Sequence, residues 1–320
     1  MALPGGIHPI PLPTMLPIGL VNVYVIEGEP LTLIDTGPKM EEAHDALRHG
    51  LKNLRHSIAD VEQILLTHGH IDHAGLAETI RRESGATLLV PQGERDSVDR
   101  FPETFEARGK RFREELLRSG APPETCDLVD DFFDWIRKFG ESARVDGVVR
   151  DGDLLRAGAV ELRAIHTPGH SAGSTCYLEA DRVLFCGDSM IRDATPNAAF
   201  GGADGVSVGL ADHLASLTRL RELPVVHVLP GHRERFEDLK AYIADYMQQF
   251  RIRQEAILRL LKPGPLSPFD LMVETFGTLP IQEIFLGVTE VLGHLEVLEI
   301  EGAVVVDEKA GHRVYRLATV

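Results

Sequence analysis

The stretch VEQILLTHGHIDH, residues 61–73, joins an apolar run to a cluster of potential metal ligands. The apolar run predicts a buried strand. His68 and His70 alternate at the end of this strand and can share a face, whereas Asp72 and His73 follow where the chain turns into a helix. Two faces imply two metal ions. The alternative, a solvated histidine-rich loop, does not account for the similar residues that recur later in the chain.

Further ligand candidates follow three later strands. Residues 160–165, 183–185 and 225–229 are apolar runs that predict strands, and a polar loop follows each of them. The loops contribute, in that order, His170, Asp188 and His232. Because loops at strand ends gather in layered α/β folds, we expect these side chains to converge with those of residues 68–73.

Asp35 stands at another strand end. Residues 20–26 and 31–34 predict a hairpin whose second strand runs into Asp35. Pro38 then suits the first turn of a helix with an apolar stripe made of Met40, Ala43, Leu47 and Leu51. Asp35 is therefore either a helix cap or turn residue, or a residue that orients a metal ligand through a hydrogen bond.

The candidate ligands predict metal-assisted hydrolysis. They comprise five histidines and two aspartates, enough for two sites of mixed nitrogen and oxygen ligation that share one carboxylate. Two divalent ions roughly 3.5 to 4 Å apart would lower the pKa of a shared water and direct it as hydroxide at a carbonyl or phosphoryl centre. A redox di-iron centre would use similar ligands, but it would need a flavin-binding or other electron-transfer partner.

Roughly the first 245 residues resemble the metallo-β-lactamase fold superfamily, with five motifs in order: LIDTG, THGHIDH, TPGHSAGS, GDS and PGH. The resemblance implies a four-layered αββα sandwich, with Zn²⁺ as the usual metal and Mn²⁺ or Fe as alternatives. It also implies a first site of His68, His70 and His170, and a second site of Asp72, His73 and His232. Asp188 would bridge the two, and Asp35 would be the aspartate of the first motif. TPGHSAGS and PGH resemble the glyoxalase II-like branch.

Two amphipathic helices interrupt the strand and helix alternation between about Asp96 and Arg144, and they predict an inserted helical cap. The second helix carries an apolar stripe formed by Leu128, Phe132, Trp135, Ile136 and Phe139. Such a stripe is ordinarily part of a core, and here it would bury over the mouth of the domain or against a partner subunit. The predicted substrate contacts are Phe132 and Trp135, with a dimer interface as the alternative.

The composition changes after KPGP at 262–265, and we divide the chain into a hydrolase domain, 1–245, and a small domain, 246–320. Two predicted helices followed by two strands resemble a winged helix, as found after the hydrolase domain in β-lactamase-like protein 2, an endoribonuclease. The second helix and its end carry no lysine or arginine but five glutamates, namely Glu283, Glu290, Glu296, Glu299 and Glu301. The predicted role is packing and dimerisation, because nucleic-acid binding needs positive side chains.

The whole chain of 320 residues has a formal net charge of −16, which disfavours a nucleic-acid partner. Its 43% hydrophobic and 26% charged composition is typical of a soluble globular protein. Cys176 and Cys186 lie in apolar runs, and a third cysteine, Cys126, makes the number odd, so we predict no structural disulfide. The first twenty residues are interrupted by prolines and lack a basic segment, which predicts neither a signal peptide nor a membrane span. A cytoplasmic protein is expected.

Together these features predict a dinuclear metal hydrolase acting on an ester, thioester or lactone of a small molecule through a metal-bridging hydroxide. Asp72 is the candidate proton shuttle, and a homodimer is one option for the assembly. The first alternative is a single-strand endoribonuclease of the β-lactamase-like protein 2 type. A non-catalytic metal-dependent sensor is the second.

Overall fold

Two β-sheets form the centre of the computed structural model, which describes residue 3 and residues 5–180, 182–193, 209–309 and 311–318. In both sheets, strands that follow one another in sequence are neighbours in space. The first sheet contains β1 (Ile7–Leu12), β2 (Val21–Ile26), β3 (Thr32–Ile34), β4 (Gln63–Leu65), β5 (Thr87–Pro91) and β6 (Gly147–Val149). The second sheet contains β7 (Leu154–Ala157), β8 (Val160–His166), β9 (Thr175–Glu179), β10 (Val183–Gly187) and β11 (His227–Pro230).

Strand direction determines where the polar loops meet. The strands from β3 to β6 run parallel, and β11 runs parallel to β10 in the other sheet. The remaining pairs in both sheets are antiparallel. The predicted hairpin of β2 and β3 is confirmed, with Tyr24 opposite Ile34.

Some helices cover the outer faces of the two sheets, and the others pack with one another beside them. Those in the first 136 residues are α1 (Glu41–Asn53), α2 (Ile71–Ala74), α3 (Ala77–Ser84), α4 (Arg95–Asp99), α5 (Phe101–Arg118) and α6 (Pro123–Ile136). The later helices, from residue 210 onwards, are α7 (Leu210–Leu220), α8 (Leu239–Leu260), α9 (Pro268–Phe276) and α10 (Ile281–Ile300). Short 3₁₀ turns occur at Ile58–Asp60, Gln92–Glu94 and Arg137–Phe139.

Three apolar cores separate the layers of the sandwich. Leu47 of α1 and Ile80 of α3 pack with Leu33 and Ile64 on the outer face of the first sheet. Tyr177 and Phe185 are among the side chains that pack between the sheets, in one core with Tyr24, Ile34 and Leu65. Helices α7 and α8 cover the second sheet through Leu217, Ile243, Leu184 and Val228. The order helix, sheet, sheet, helix is the predicted α/β sandwich.

The edge strand β1 is absent from the sequence-based predictions because Pro9 and Pro11 interrupt its apolar pattern. Proline lacks the backbone N–H of a sheet ladder and is tolerated only at a sheet edge. Both prolines are exposed, whereas Ile10, which lies between them, and Leu12, which follows Pro11, are buried. Pro38 is the second correction, since α1 begins at Glu41 and Pro38 lies before its first turn.

The insertion contains α5 and α6, and the predicted apolar stripe on α6 is buried only in part. Leu128 and Trp135 are 49% and 43% exposed, whereas the predicted Ile136 is buried together with Cys126, Val129 and Phe133, which the prediction did not include. This face lies in one core with Leu116 of α5 and with the C-terminal residues Val288, Val291 and Leu295. The buried face of α6 therefore packs against the C-terminal part of the same chain.

Helix α10 is the central element of the C-terminal segment. It contacts α6, α7, α8, α9 and a final hairpin of β12 (Val304–Lys309) and β13 (His312–Leu317). The predicted helix start is confirmed, because the Ser267 hydroxyl accepts a hydrogen bond from the Asp270 N–H and the Asp270 carboxylate accepts from Ser267. Most of α10 is buried, so its glutamates do not form one exposed face; Glu290 is paired with Arg253 at 2.7 Å.

The predicted division between residues 245 and 246 falls within α8. Among the described residues, no single helix is long and apolar enough to cross a membrane. The pair α9 and α10, which is bent by 113°, meets the length and composition required when the two helices are taken together.

Candidate metal centre

Helix α2 and the turn before it carry four of the predicted ligands. Backbone pairing of β4 with β3 and β5 places Thr67 and His68 at the carboxyl end of the first sheet. His70 is the N-cap of α2, and Asp72 and His73 lie within its single turn. His68, Asp72 and His73 are each less than 5% exposed. A buried run of ionisable side chains is costly unless the groups have partners or hold a cation.

Three imidazoles converge at one end of the cluster. His70 Nδ1 lies 3.0 Å from His68 Nε2 and 2.9 Å from His170 Nε2. His170 comes from the loop after β8, on the other sheet. These three nitrogen atoms are close enough together to bind one metal ion.

A second group of side chains adjoins the first. His232 Nε2 lies 3.0 Å from Asp72 Oδ2, and His73 Nε2 lies 3.6 Å from the same oxygen. His232 follows β11, and Leu20 accepts a hydrogen bond on its backbone carbonyl from His232 Nδ1 at 2.9 Å. This bond leaves Nε2 of His232 free to face the cluster.

Asp188 lies between the two groups. Its Oδ1 is 3.3 Å from His73 Nε2, whereas its Oδ2 is 3.7 Å from His170 Nε2 and 3.5 Å from His232 Nε2. A carboxylate in this position can bridge two metal ions. The structure thus brings together all seven of the predicted ligands: His68, His70, Asp72, His73, His170, Asp188 and His232.

The residues present fit a pair of metal ions. His73 Nε2 and Asp188 Oδ1 are buried and have no hydrogen-bond partner among the described residues. Gly231 leaves space beside them, because a Cβ at this position would collide with Asp188 Oδ1. Five imidazole nitrogens and two carboxylates are the ligand types that Zn²⁺, Mn²⁺ and Fe accept.

Burial and mutual interactions set the charges of these groups. Burial, together with the neighbouring histidines, lowers the pKa of His68 and of His70, and both imidazoles are neutral as metal ligation requires. Burial alone would raise the pKa of Asp72 and of Asp188, but His73 and His232 outweigh it, so both pKa values lie well below the ordinary range. The two aspartates are therefore carboxylates.

Asp35 orients a ligand and does not cap α1. Its Oδ2 accepts hydrogen bonds from His73 Nδ1 at 2.9 Å and from the Thr67 hydroxyl at 2.8 Å, and its Oδ1 accepts from the Thr67 N–H. His73 therefore carries its proton on Nδ1 and turns Nε2 towards Asp188. The backbone of Asp35 has a φ of 61°, a left-handed conformation that aspartate tolerates better than most residues.

Glu94 is a functional residue that our sequence reasoning missed. It is 5% exposed and joins two ligand loops. Its Oε2 accepts hydrogen bonds from the Gly69 N–H at 3.0 Å and the Ser97 hydroxyl at 2.9 Å. Its Oε1 accepts from the Ser171 hydroxyl at 2.6 Å and the Gly173 N–H at 2.8 Å. The signal that could have identified it is its place just after β5, the same strand-end position that the ligands occupy.

The two predicted substrate contacts lie on α6. The ring of Phe132 is 6.0 Å from the ring of Trp135 and 6.4 Å from that of Phe285, and Trp135 also contacts Phe139. Trp135 is 43% exposed. Their contact with a substrate stays a prediction.

Comparison with known proteins places this centre in a family. Residues 16–232 match the family model of the metallo-β-lactamase superfamily. The chain is 30% identical over 305 residues to the probable metallo-hydrolase YqjP of Bacillus subtilis (strain 168), covering 92% of each chain. It is 24% identical over 307 residues to the β-lactamase-like protein 2 homolog of Drosophila melanogaster, covering 95% of this chain and 90% of the relative.

Solved structures extend the similarity to the whole fold. A metallo-β-lactamase family protein from Thermus thermophilus, TTHA1429, superposes with a TM-score of 0.85 at 29% identity, over 99% of this chain and all of that one. A β-lactamase domain protein from Burkholderia ambifaria gives a TM-score of 0.83 at 23% identity, over 99% of this chain and 94% of that one. The chain therefore belongs to the metallo-β-lactamase superfamily, and it is a metal-dependent hydrolase.

Proposed function

We propose that this hydrolase is dinuclear and cleaves an ester, thioester or lactone bond of a small molecule. The observation that carries the proposal is the convergence of seven candidate ligand side chains in two groups, with Asp188 between them. A single ion would need only three or four of these ligands. The acidic chain, with its net charge of −16, favours a small substrate over a nucleic acid.

Within this proposal, His68, His70 and His170 hold one ion, Asp72, His73 and His232 hold the other, and Asp188 contacts both. When bound, divalent ions such as Zn²⁺, Mn²⁺ or Fe²⁺ supply Lewis acidity and activate water for attack on a carbonyl carbon. Asp35 and Thr67 hold His73 and His68 in the orientation that ligation requires. We favour Zn²⁺ because the ligands combine imidazole and carboxylate groups.

Asp72 is the proposed proton shuttle. Its carboxylate is ionised, since its pKa is held below the ordinary range by His73 and His232 despite burial. An ionised carboxylate can accept a proton from the attacking water and return it to the leaving alcohol or thiol. Asp72 Oδ2 lies 3.0 Å from His232 Nε2, so the carboxylate is held within the second group of candidate ligands.

The finer assignments of the remaining parts are also proposals. We propose that α5 and α6 form a cap, that Phe132 and Trp135 contact the substrate, and that 246–320 is a winged-helix domain with a packing role. A glyoxalase II-like reaction, a cytoplasmic location and a homodimer complete the proposed description. The packing role is supported by the core that the C-terminal helices share with α6.

The proposal is tested by an activity screen of the metal-loaded wild type and its His70→Ala variant across thioesters, lactones, phosphodiesters and short RNAs. We expect about two metal ions per chain and hydrolysis of at least one ester class in the wild type. His70→Ala removes a ligand and should lower activity by at least about a hundredfold. Circular dichroism checks that the variant keeps its fold. Only trace metal in carefully loaded wild type would contradict the proposal.

The second candidate is a single-strand endoribonuclease. The observation that favours it is the near full-length similarity to the β-lactamase-like protein 2 homolog of Drosophila melanogaster. The same screen separates the two functions. Cleavage of short RNA at a higher kcat/KM than any ester would favour the ribonuclease.

A further inference from the structure

Helix α5 carries two neighbouring arginines, and the first of them, Arg108, interacts electrostatically with Asp72 and His70 of the metal centre. Arg108 and Arg111 are three residues apart and lie on adjacent parts of one helix face. Upstream on α5, Phe101 and Phe105 share a core with Ile71, the residue that follows the predicted ligand His70. The guanidinium of Arg108 lies over the Phe105 ring, 5.2 Å from its centroid. Arg108 is therefore held beside the turn that carries the ligands.

These two arginines differ from their basic neighbours on the helix. Lys110 is paired with Glu106 at 2.6 Å, and Arg113 is paired with Asp127 at 2.7 Å. For Arg108 and Arg111, the described part of the chain contains no carboxylate within ion-pair distance, 4.0 Å. Nε and Nη2 of Arg111 are buried without a hydrogen-bond partner among those residues. A buried guanidinium without a partner is costly, and its donors call for an acceptor.

The electrostatic interactions of Arg108 extend to the centre itself. Burial lowers the pKa of Arg108, the charges of Glu94 and Asp72 raise it, and the nearby Arg111 lowers it. Arg108 in turn contributes to the lowered pKa of His70, after burial and His170. Two like charges thus lie close together at the edge of the metal centre, where a bidentate anion would offset both their repulsion and their desolvation.

We propose that Arg108 and Arg111 bind an anionic group of the substrate, a carboxylate or a phosphate, while the scissile bond lies at the metal centre. The inference rests on the proposed ester hydrolysis and narrows it to acyl compounds that carry a negative charge near the cleaved bond. Guanidinium groups recognise carboxylate and phosphate through paired N–H donors, which explains the use of arginine rather than lysine at both positions. The two arginines are specificity residues, and the proposal gives them no part in the chemical step.

The first test compares matched esters that differ by one charge. Monomethyl succinate is compared with dimethyl succinate, and 1-acetylglycerol 3-phosphate with 1-acetylglycerol, using wild type, Arg108→Gln and Arg111→Gln. We expect each variant to raise KM for the anionic ester by about tenfold or more and to change the neutral ester by less than about twofold. Lys110→Gln is the control, because Lys110 lies on the same helix and is exposed with its partner Glu106.

The second test does not depend on turnover. The metal-loaded full chain is titrated with succinate and with inorganic phosphate in a calorimeter, and metal content is measured in every variant. Because all variants keep the metal ligands, anion binding to the ions is common to them. We expect Arg108→Gln and Arg111→Gln to weaken binding about tenfold and Lys110→Gln to leave it unchanged. The anion that loses more affinity identifies the group as carboxylate or phosphate.

The combined outcomes separate the two proposals. Arginine-dependent anion binding without hydrolysis of any ester would support the anion site and contradict the proposed function. The anion site would be overturned if the esters are hydrolysed and both arginine variants keep the wild-type KM for the charged and the neutral ester. Loss of short-RNA cleavage in the same variants, with no effect on small anions, would also overturn it and assign the arginines to a nucleic-acid phosphate.

Discussion

Gly231 lies in the buried loop after β11 and has no space for a side chain. A Cβ there would collide with Asp188 Oδ1 and lie 2.6 Å from His73 Cε1, inside the contact limits of both atoms. The glycine of the PGH motif is therefore required by the volume of the centre. Because Gly231 has no side chain, its backbone lies close to the centre, and the next residue, His232, reaches Asp72.

We expect Gly231→Ala to lower metal affinity by about ten- to a hundredfold, because the added methyl group displaces Asp188 or His73. Metal content after dialysis against a competing chelator measures this. Gly264→Ala is the matched control, since a Cβ at Gly264 meets nothing within 4 Å. Equal metal retention in the two variants would show that the loop moves to make room.

At the residue scale, the sequence predicted which side chains converge, because each candidate ligand type is chemically distinctive and each follows a strand. Glu94 was not predictable in the same way. A lone glutamate carries no signature of metal chemistry, and its position depends on three donors from two loops that are far apart in sequence. Asp35 was left between two roles until the position of His73 was known.

At the element scale, α6 shows what periodicity leaves open. Leu128 and Trp135 on one side and Val129 and Phe133 on the other form two overlapping apolar faces. The sequence alone does not say which face meets a partner, and the partner, α10, follows more than a hundred residues later. Burial of Val129 and Phe133 therefore follows from tertiary packing, which local pattern does not encode.

Helix α10 contains a buried titratable group that makes the fold sensitive to acid. Burial, together with the smaller effect of the Arg253 charge, lowers the pKa of His294 to about 3, and the His294 ring stacks on Phe250 with 5.0 Å between the ring centroids. In the unfolded chain a histidine has a pKa of about 6.5. Below this pH the unfolded chain binds a proton that the folded chain does not, so the free energy of unfolding falls as the pH falls.

We expect His294→Phe to reduce this sensitivity, because phenylalanine keeps the stacking and cannot be protonated. Between pH 7.5 and 5.5 the wild type should lose about 1.4 kcal/mol more free energy of unfolding than the variant. Guanidinium unfolding at the two pH values measures the difference. His49→Gln, a change at an exposed position on α1, should retain the wild-type dependence. If the free energy of unfolding changes equally with pH in the wild type and in His294→Phe, the acid sensitivity does not come from His294.

At the scale of the whole molecule, the insertion and the C-terminal segment form one unit. Glu115 on α5 accepts hydrogen bonds from Arg313 on β13, with the shorter contact at 2.6 Å. Burial raises the pKa of Glu115, and Arg313 opposes that shift. Composition predicted a small domain at 246–320; helix α8 spans the start of this range, and the core shared by α6 and α10 joins it to the insertion.

We expect Arg313→Gln to destabilise the chain by about 2 kcal/mol, because it leaves the Glu115 carboxylate buried without its cation. The double variant with Glu115→Gln should recover part of this loss, since it removes the unpaired charge. Denaturant unfolding of the wild type, both single variants and the double variant gives the coupling. Arg316→Gln, whose partner Asp307 is exposed, should change stability by less than about 0.5 kcal/mol. If the effects of the two single changes on the free energy of unfolding add up in the double variant, the proposed link between Arg313 and Glu115 is contradicted.

The shared core of α6 and α10 also affects how the protein is made. Roughly 180 residues separate the end of α6 from the end of β13, which at ordinary rates of synthesis is about 10 to 40 s on the ribosome. During this interval the apolar face of α6 has emerged without the helix that covers it. The nascent chain therefore exposes an apolar surface while the second sheet and then the C-terminal helices are still being synthesised, and chaperone binding during translation should concentrate on residues 101–139.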